Sequence, residues 1–406
     1  MNKEFLLKES KVFCMAPWVH LHTTPTGNAG PCCIAKGSTG SSLYQDLDDL
    51  VNTPEMKQLR LDMLNEVKNP HCDTCHKHEE MNVPSARAQF EYRFKHHIDD
   101  VLANTEADGK LNNFKMHYFD IRFNNICNFK CRTCNADYSS QWEQEDLKRK
   151  LPWARIYPKN NRDNFLEDIL SHIPHMEYAY FAGGEPLITE EHYVLLEEMV
   201  RQHKTDIRLV YNSNASNLKF KDKDVIDLWS RFSHPIEFCA SIDHMGERAE
   251  YIRHGTDWGK VESNLLKLKN TNNVILSINT VVSVFNYTTM HDLYRYLINK
   301  NIYMPPPGPT FSVYSMASPE HLTAQVLPQD IKKRGRMNIK LITDYMTHRR
   351  FVPHQTSTLE SCIAWAESVD GWPIHKENFK TDIENLDKVR GESFTKVFPE
   401  LASMMD

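Results

Sequence analysis

Ten cysteines are distributed unevenly along the 406 residues, and eight of them fall in tight groups within the first third of the chain. Tight thiol groups in a chain of this size indicate metal ligation or redox chemistry, whereas disulfide frameworks are typical of small secreted domains. The cysteine groups are therefore the feature of the sequence that most directly indicates a chemistry. Of the two later cysteines, Cys239 is interpreted as a buried packing residue and Cys362 as a core or surface residue without chemistry.

Composition limits the remaining possibilities. Lys and Arg total 48 against 54 Asp and Glu, so the net charge of -6 excludes a chain-wide basic field for nucleic acid. With 40% hydrophobic and 25% charged residues, the chain is typical of soluble globular proteins with two or three domains. We find neither a secretory signal nor an apolar run near the ~20 residues of a membrane span, so we expect a cytoplasmic protein without a membrane partner.

Alternating strands and amphipathic helices are predicted for the middle of the chain. The strand candidates are residues 118–123, 177–182, 207–212, 236–242, 274–282 and 310–314, and apolar residues recur at helical spacing between them. Six βα units predict an α/β fold with a parallel sheet, which is either open or curled toward a barrel. In both forms, functional loops follow the carboxyl ends of the strands.

Two different regions flank this pattern. Before it, residues 19–33 predict a hairpin, and Thr53 with Pro54 predicts the start of a helix. After the Pro305-Pro-Pro-Gly-Pro break and one more strand, the chain is predicted to be mostly helical from Leu327 onward. The sequence is therefore divided into regions 1–103, 104–320 and 321–406.

Three cysteines lie within eight residues, in Cys127-Asn-Phe-Lys-Cys131-Arg-Thr-Cys134, directly after the first strand of the βα region. Three thiolates on one loop can bind three irons of a 4Fe-4S cluster and leave the fourth iron open to another ligand. A zinc site that lacks one ligand, or three unrelated buried thiols, would also be compatible with this spacing.

These residues resemble the radical S-adenosylmethionine (SAM) superfamily, whose signature is Cys-x3-Cys-x2-Cys after the first strand of a partial (β/α)6 barrel. After the second strand, Gly183, Gly184, Glu185 and Pro186 resemble its GGEP motif, whose backbone meets the amino group of SAM. Two glycines at a strand end allow the main chain to approach a ligand closely. The resemblance implies such a barrel at residues 104–320, with a SAM-binding 4Fe-4S cluster on Cys127, Cys131 and Cys134.

Polar residues at the ends of later strands match SAM-binding positions of similar enzymes. The resemblance implies that contacts to the ribose and to the SAM carboxylate come from Asn212, Ser213, Asn214, Ser241, Asp243 and Arg253, with Asn279 as a candidate for the adenosine pocket. An arginine suits a carboxylate because its planar fork can bind both oxygens. Thr133 stands where many members carry an aromatic residue near the adenine.

The amino-terminal cysteines form a second group. Four thiolates from Cys14, Cys32, Cys72 and Cys75 could complete a zinc site or a fully ligated iron-sulfur cluster. The surrounding segments resemble the SPASM and twitch extensions of radical SAM enzymes, which implies one auxiliary 4Fe-4S cluster in a small α+β domain at residues 1–103. Those extensions normally follow the barrel, whereas here the cysteines precede it. Cys33 remains as a spare thiol, and the alternative ligands are His71, His76 and His78.

The resemblance also implies an activity. In such enzymes the reduced cluster cleaves SAM to methionine and a 5'-deoxyadenosyl radical, which abstracts hydrogen from the substrate. We expect a peptide or protein side chain as substrate and a flavodoxin or ferredoxin as electron donor. Nucleic acid is not an expected partner.

Two alternatives remain open. The first is a radical SAM enzyme that modifies RNA or a small metabolite, where RNA would contact the basic runs at residues 148–155 and 332–336. The second is not an enzyme but a zinc-stabilised binding module, in which both cysteine groups are structural. It leaves the segment at Gly183–Pro186 unexplained.

Overall fold

The structure is a computed structural model that describes residues 3–81, 84–154, 156, 163–304 and 310–406. Backbone contacts divide the chain into two compact units. Unit 1 comprises Met1–Ile126, Glu143–Val210 and Ile226–His234, and unit 2 comprises Cys127–Trp142, Tyr211–Val225 and Pro235–Asp406. Arg155 of the first basic run and the break at residues 305–309 lie outside the described residues.

The helices and strands follow one another in the order that the sequence pattern predicts. The first part of the chain contains α1 (Lys3–Lys8), α2 (Ala16–Val19), β1 (His20–Thr23), β2 (Asn28–Gly30), β3 (Gly40–Ser41), α3 (Leu47–Val51), α4 (Pro54–Leu64), α5 (Asp73–Glu80), α6 (Ala86–Phe94), α7 (Ile98–Ala103), β4 (Tyr118–Ile121), α8 (Ser140–Lys148), α9 (Asp163–Ser171), β5 (Tyr178–Phe181) and α10 (Glu190–Arg201). The remainder contains β6 (Arg208–Ser213), β7 (Lys219–Phe220), β8 (Lys223–Asp224), α11 (Val225–Trp229), β9 (Ile236–Ser241), α12 (Gly246–Ile252), α13 (Trp258–Lys269), β10 (Val274–Val282), α14 (Met290–Asn299), β11 (Thr310–Ser315), α15 (Gln329–His348), α16 (Pro353–Glu367), α17 (Trp372–Arg390) and α18 (Phe394–Val397).

Unit 1 combines a hairpin with parallel strands. The predicted hairpin is confirmed, because β1 and β2 pair antiparallel with His22 opposite Gly30. On its other side β1 pairs parallel with β4, where His22 lies opposite Asp120, and β4 pairs parallel with β5. The carboxyl ends of β1, β4 and β5 therefore lie at one edge of the sheet.

Helix α4 begins where the sequence predicts. The Thr53 hydroxyl accepts a hydrogen bond from the Met56 N–H at 3.2 Å, and Pro54 occupies the first turn, where its missing N–H costs nothing. The same helix holds Arg60, which is fully buried and donates to the carbonyl oxygens of Pro17 and Val51. Arg60 thus ties α4 to α2 and to the last residue of α3.

Unit 2 contains the parallel strands β9, β10 and β11. Their register aligns Ser241, Asn279 and Ser312 in one row across the three strands. Alternate residues such as Ala240 and Ile278 are buried on the other face. One face of this sheet segment is therefore polar and the other belongs to the apolar core.

The predicted fold class is confirmed. The chain is α/β, with parallel strands separated by helices, a cysteine-rich α+β region before them and a helical carboxyl-terminal region formed by α15 to α18. Each of the six predicted strands is present with boundaries shifted by no more than two residues. The division at residues 103 and 320 remains a prediction. No helix within the described ranges is both long and apolar enough to cross a membrane.

Candidate functional site

The loop with Cys127, Cys131 and Cys134 is held by hydrogen bonds inside unit 2. Its Lys130 and Arg132 N–H groups donate to the carbonyl oxygens of His254 and Ile252 at 2.9 and 2.8 Å. The Trp142 indole N–H donates to the Cys131 carbonyl oxygen at 2.7 Å. The three thiols are partly buried, and burial raises the pKa of Cys131 and raises that of Cys134 to about 12. A positively charged group is therefore needed to stabilise these sulfurs as thiolates.

Arg253 supplies positive charge at this loop. Its Nη1 lies 4.0 Å from Sγ of Cys131, and its Nε lies 2.8 Å from Oδ2 of buried Asp243. Burial lowers the pKa of Arg253, but the charges of Asp243 and Cys131 outweigh burial and raise it above its usual range. Arg253 and Asp243 thus form an ion pair beside the cysteine loop.

Three predicted SAM contacts lie at the end of β6, where Asn214 binds the loop itself. Its Nδ2 donates to Oδ1 of Asn128 at 3.0 Å, and its own Oδ1 accepts from the Ser216 N–H. Ser213 accepts from the Ala215 N–H through Oγ at 3.0 Å. In the structure, Ser213 and Asn214 order the turn after β6 and the cysteine loop.

Ser241 and Asn279 lie beside each other on the polar face of β9 and β10. Oδ1 of Asn279 is buried and has no hydrogen-bond partner among the described residues. A buried acceptor without a partner is costly, so this atom is available to the hydroxyl or amino group of a ligand. Ser241 and Asn279 are thus compatible with the predicted adenosine contacts.

Sequence reasoning did not identify the residue that anchors the cysteine loop. Arg132 has no exposed side-chain surface, and its Nη2 lies 2.5 Å from both Oδ1 of Asp387 and Oε2 of Glu392. Its guanidinium also lies 3.7 Å above the ring of Tyr251. The partners are some 255 residues away, so the sequence contains no local signal for this contact.

The motif Gly183–Pro186 belongs to unit 1, where it packs against the residues that follow β4. The Glu185 N–H donates to the Ile126 carbonyl oxygen at 2.7 Å. A Cβ on Gly184 would lie 2.2 Å from this oxygen, and Gly183 has φ +121 and lies against the Arg122 side chain. Only glycine allows the backbone at position 184 to lie this close to the Ile126 carbonyl oxygen. The glycines of the motif are therefore needed for a contact inside the protein as well as for the predicted approach to a ligand.

The structure brings the four amino-terminal cysteines together. Cys14, Cys32, Cys72 and Cys75 line one pocket in unit 1, together with apolar residues such as Pro31 and Phe90. The Ala16 N–H donates to Sγ of Cys14 at 3.4 Å. Burial raises the pKa of each of the four thiols. A metal centre in the pocket would stabilise them as thiolates.

Arg87 is a second residue that sequence reasoning missed. It lines the pocket of the four cysteines and forms a bidentate ion pair with Glu79 at 2.8 and 2.9 Å. Its Nη1 donates to the carbonyl oxygen of Phe13, next to Cys14. Arg87 therefore places a fixed cation beside the predicted auxiliary cluster.

The spare cysteine and the alternative histidine ligands lie at different distances from the pocket of the four cysteines. Cys33 is exposed and does not line the pocket, whereas His71 lines it. The ring of His71 lies 2.5 Å from the Lys36 carbonyl oxygen through Nδ1, and Nε2 of His76 is buried without a partner among the described residues. The structure thus separates Cys33 from the four cysteines.

A further polar group lies at the carboxyl ends of β1 and β4. Nδ1 of His22 lies 3.0 Å from Oδ2 of Asp120, and Nε of Arg122 lies 3.3 Å from the other oxygen. Burial raises the pKa of Asp120, but His22 and Arg122 outweigh it and lower the pKa overall. Sequence reasoning missed this group, although each of its residues lies at or just after a strand end.

The sequence comparisons match one part of the chain. Residues 14–76 match the SPASM family, an iron-sulfur cluster-binding domain. These residues include the four cysteines that line the pocket. The prediction of a SPASM-type domain is thereby confirmed. No curated protein matches the chain.

Several solved structures are similar to this chain. Hexahistidine-tagged anSMEcpe with bound AdoMet is 19% identical over 56% of this chain and 60% of that chain, with a TM-score of 0.39. Streptococcus suis SuiB bound to precursor peptide SuiA is 14% identical over 73% and 63%, with a TM-score of 0.38. TYW1 with a lysine-pyruvate adduct is 13% identical over 56% and 71%, with a TM-score of 0.30.

The similar structures are matched over only part of their length and with low TM-scores. The chain spans about three fifths of the length of the first of these structures. With TM-scores below 0.5, none of them supports an assignment by itself.

The domain match and the motifs of the chain point in the same direction. The matched domain binds an iron-sulfur cluster. The Cys127-x3-Cys131-x2-Cys134 signature follows β4, and the GGEP motif follows β5. Residues 14–76 therefore belong to the SPASM family of iron-sulfur cluster-binding domains, and the two motifs resemble those of the radical SAM superfamily.

Proposed function

We propose that the chain is an enzyme that cleaves SAM reductively and abstracts hydrogen from a peptide or protein side chain. The observation that supports it most is the loop after β4, where Cys127, Cys131 and Cys134 are partly buried beside the ion pair of Arg253 and Asp243. Thiolates on such a loop bind iron, and a nearby guanidinium offsets their negative charge.

Different residues would bind the 4Fe-4S cluster and SAM. Cys127, Cys131 and Cys134 would hold one 4Fe-4S cluster, which in its reduced form supplies the electron that cleaves SAM to methionine and a 5'-deoxyadenosyl radical. The orphaned Oδ1 of Asn279 would accept a hydrogen bond from SAM, with Ser241 beside it.

The remaining predicted SAM-binding residues would contact SAM through the backbone, order a neighbouring turn, or orient the SAM carboxylate. The backbone at Gly183–Pro186 would approach SAM, and Asn212, Ser213 and Asn214 would order the turn after β6. Arg253 would orient the carboxylate of SAM while Asp243 holds its guanidinium in place.

Cys14, Cys32, Cys72 and Cys75 would hold an auxiliary 4Fe-4S cluster. Four cysteine ligands leave no open iron, so the proposed role of this cluster is electron relay or structural support. Arg87 would then offset part of the negative charge of the cluster.

The second basic run gives the RNA alternative little support. Lys332 is 1% exposed, and its Nζ donates to the Val369 carbonyl oxygen at 2.7 Å. Arg336 pairs with Glu367 at 3.0 Å, and Arg334 donates to the Glu400 carbonyl oxygen. Lys332 is buried and Glu367 offsets the charge of Arg336, so this run offers less free charge to phosphates, and we favour a peptide substrate.

The test is the metal content of anaerobically reconstituted protein, with reductant-dependent formation of 5'-deoxyadenosine. We expect about eight irons per chain, and about four irons without 5'-deoxyadenosine in the Cys127→Ala/Cys131→Ala/Cys134→Ala variant. Zinc without iron or 5'-deoxyadenosine in the unmutated protein would overturn the proposal.

The substrate class needs its own measurement. A pool of synthetic peptides should stimulate 5'-deoxyadenosine formation above the basal rate, whereas RNA and a metabolite mixture should not. Stimulation by RNA at low salt, with loss at high salt, would replace the peptide proposal by the RNA alternative.

A further inference from the structure

Three imidazoles and one carboxylate converge in unit 1 at the amino ends of β4 and β5. His117 directly precedes β4 and Glu177 directly precedes β5, whereas His96 and His97 belong to the short turn Lys95–His97 between α6 and α7. Gly183 follows the other end of β5, about 13 Å away along a four-residue strand. The group is therefore separate from the residues of the candidate site.

The distances among His96, His97 and Glu177 are those of ligands around one small ion, and His117 contacts the same carboxylate from outside that group of three. Nδ1 of His117 lies 3.2 Å from Oε1 of Glu177, and Nε2 of His96 lies 3.3 Å from Oε2. Nε2 of His97 also contacts the Glu177 carboxylate, and the ligand atoms of His96, His97 and Glu177 all lie within 4.8 Å of one another. Tetrahedral zinc with bonds of about 2.0–2.1 Å holds nitrogen and oxygen ligands about 3.3 Å apart.

No permanent positive charge faces the carboxylate of Glu177 among its ion-pair partners in the described part of the chain. These partners are the imidazoles of His96, His97 and His117. A neutral imidazole nitrogen is a common metal ligand.

The buried side chain of His117 independently supports a bound cation at this position. Its side chain is more than nine-tenths buried, its Nδ1 faces the carboxylate, and this atom lacks a partner with hydrogen-bond geometry among the described residues. The rings of His97 and His117 are stacked with centroids 3.6 Å apart, which directs both toward the same carboxylate. A buried nitrogen without a partner is costly, and a bound cation would remove that cost.

We propose that His96, His97 and Glu177 bind one zinc ion, with buried His117 beside them as the fourth ligand. Imidazole nitrogen and carboxylate oxygen are ligands that zinc prefers, and four protein ligands are typical of closed, structural sites. The ion would fasten the turn between α6 and α7 to the amino ends of β4 and β5. This proposal does not depend on the proposed function.

The test uses the reconstituted protein with its iron-sulfur clusters in place. It is titrated anaerobically with zinc sulfate, desalted and analysed for zinc and iron, and its zinc K-edge X-ray absorption is measured. We expect one zinc per chain, an unchanged iron content, and a first shell of nitrogen and oxygen at about 2.0–2.1 Å. A sulfur shell at about 2.3 Å would mean that zinc occupies cysteine sites, and it would overturn the proposal.

Variants provide the matched control. His97→Ala and Glu177→Gln should lose the bound zinc, whereas His348→Ala, which removes an exposed histidine of α15, should retain it. Zinc should also raise the melting temperature of the unmutated protein but not that of His97→Ala. If the unmutated protein retains no zinc at one equivalent, the four residues form only a hydrogen-bonded network.

Discussion

The guanidinium of Arg132 meets the carboxylate of Asp387 at 2.5 Å, which joins the cysteine loop to the end of α17. Glu392 accepts from the same nitrogen and also pairs with His254, whose carbonyl oxygen binds the loop backbone. The carboxyl-terminal region thus helps to hold the loop on which the cluster would assemble.

Arg132→Leu should destabilise the protein and reduce cluster assembly. Removing one partner of a buried charge pair costs about 3–5 kcal/mol, because the other charges remain buried without compensation. Urea unfolding and iron content per chain would measure both effects. Arg349→Leu is the control, since Arg349 lies 5.2 Å above the Tyr345 ring at an exposed position. Equal stability of the two variants would contradict this role of Arg132.

Gly184→Ala should weaken SAM binding, because the added Cβ would lie 2.2 Å from the Ile126 carbonyl oxygen and the backbone would have to move. We expect a loss of affinity of roughly tenfold or more, about 1.4 kcal/mol, in equilibrium dialysis with SAM. Gly259→Ala is the control, because its Cβ would make only an ordinary 3.5 Å contact in α13. Unchanged affinity in Gly184→Ala would show that this contact is dispensable.

Cys32 and Cys33 are neighbours that should respond differently to substitution. Cys32 lines the pocket with Cys14, Cys72 and Cys75, whereas Cys33 is exposed outside it. Cys32→Ala should lower the iron content from about eight to about four per chain, and Cys33→Ala should leave it unchanged. The opposite pattern would assign the ligand to Cys33.

Buried His244 should make stability fall in mild acid. Its Nδ1 accepts from the Met245 N–H at 2.9 Å, its Nε2 faces Thr289 at 3.0 Å, and burial lowers its pKa to about 3. Below the ordinary pKa of about 6.5, the unfolded state binds the proton more readily than the folded state does. This contribution is therefore complete above pH 6.5 and decreases by about 1.4 kcal/mol per pH unit below it.

The measurement compares His244→Asn with the unmutated protein by urea unfolding between pH 7 and 5. The difference in unfolding free energy between the two should shrink as the pH falls, whereas the exposed His348→Asn should shift in parallel with the unmutated protein. A difference that does not change with pH would contradict the burial of a neutral His244.

The local sequence determined where strands and helices form and which side chains can serve as metal ligands. The strand pattern at residues 236–242 and 274–282, and the cap formed by Thr53 and Pro54, depend on residues within one turn or one strand. The spacing of Cys127, Cys131 and Cys134 likewise places three thiols on one loop whatever surrounds it. Such features were predictable because their causes lie within a few neighbouring residues.

Only the tertiary structure decided which distant residues meet. It brings Cys14, Cys32, Cys72 and Cys75 to one pocket, places Arg87 beside Cys14, and joins Arg132 to Asp387 across 255 positions of sequence. It also directs Glu177 toward histidines from two other segments. These partners depend on how helices and strands pack, and spacing along the chain contains no information about that packing.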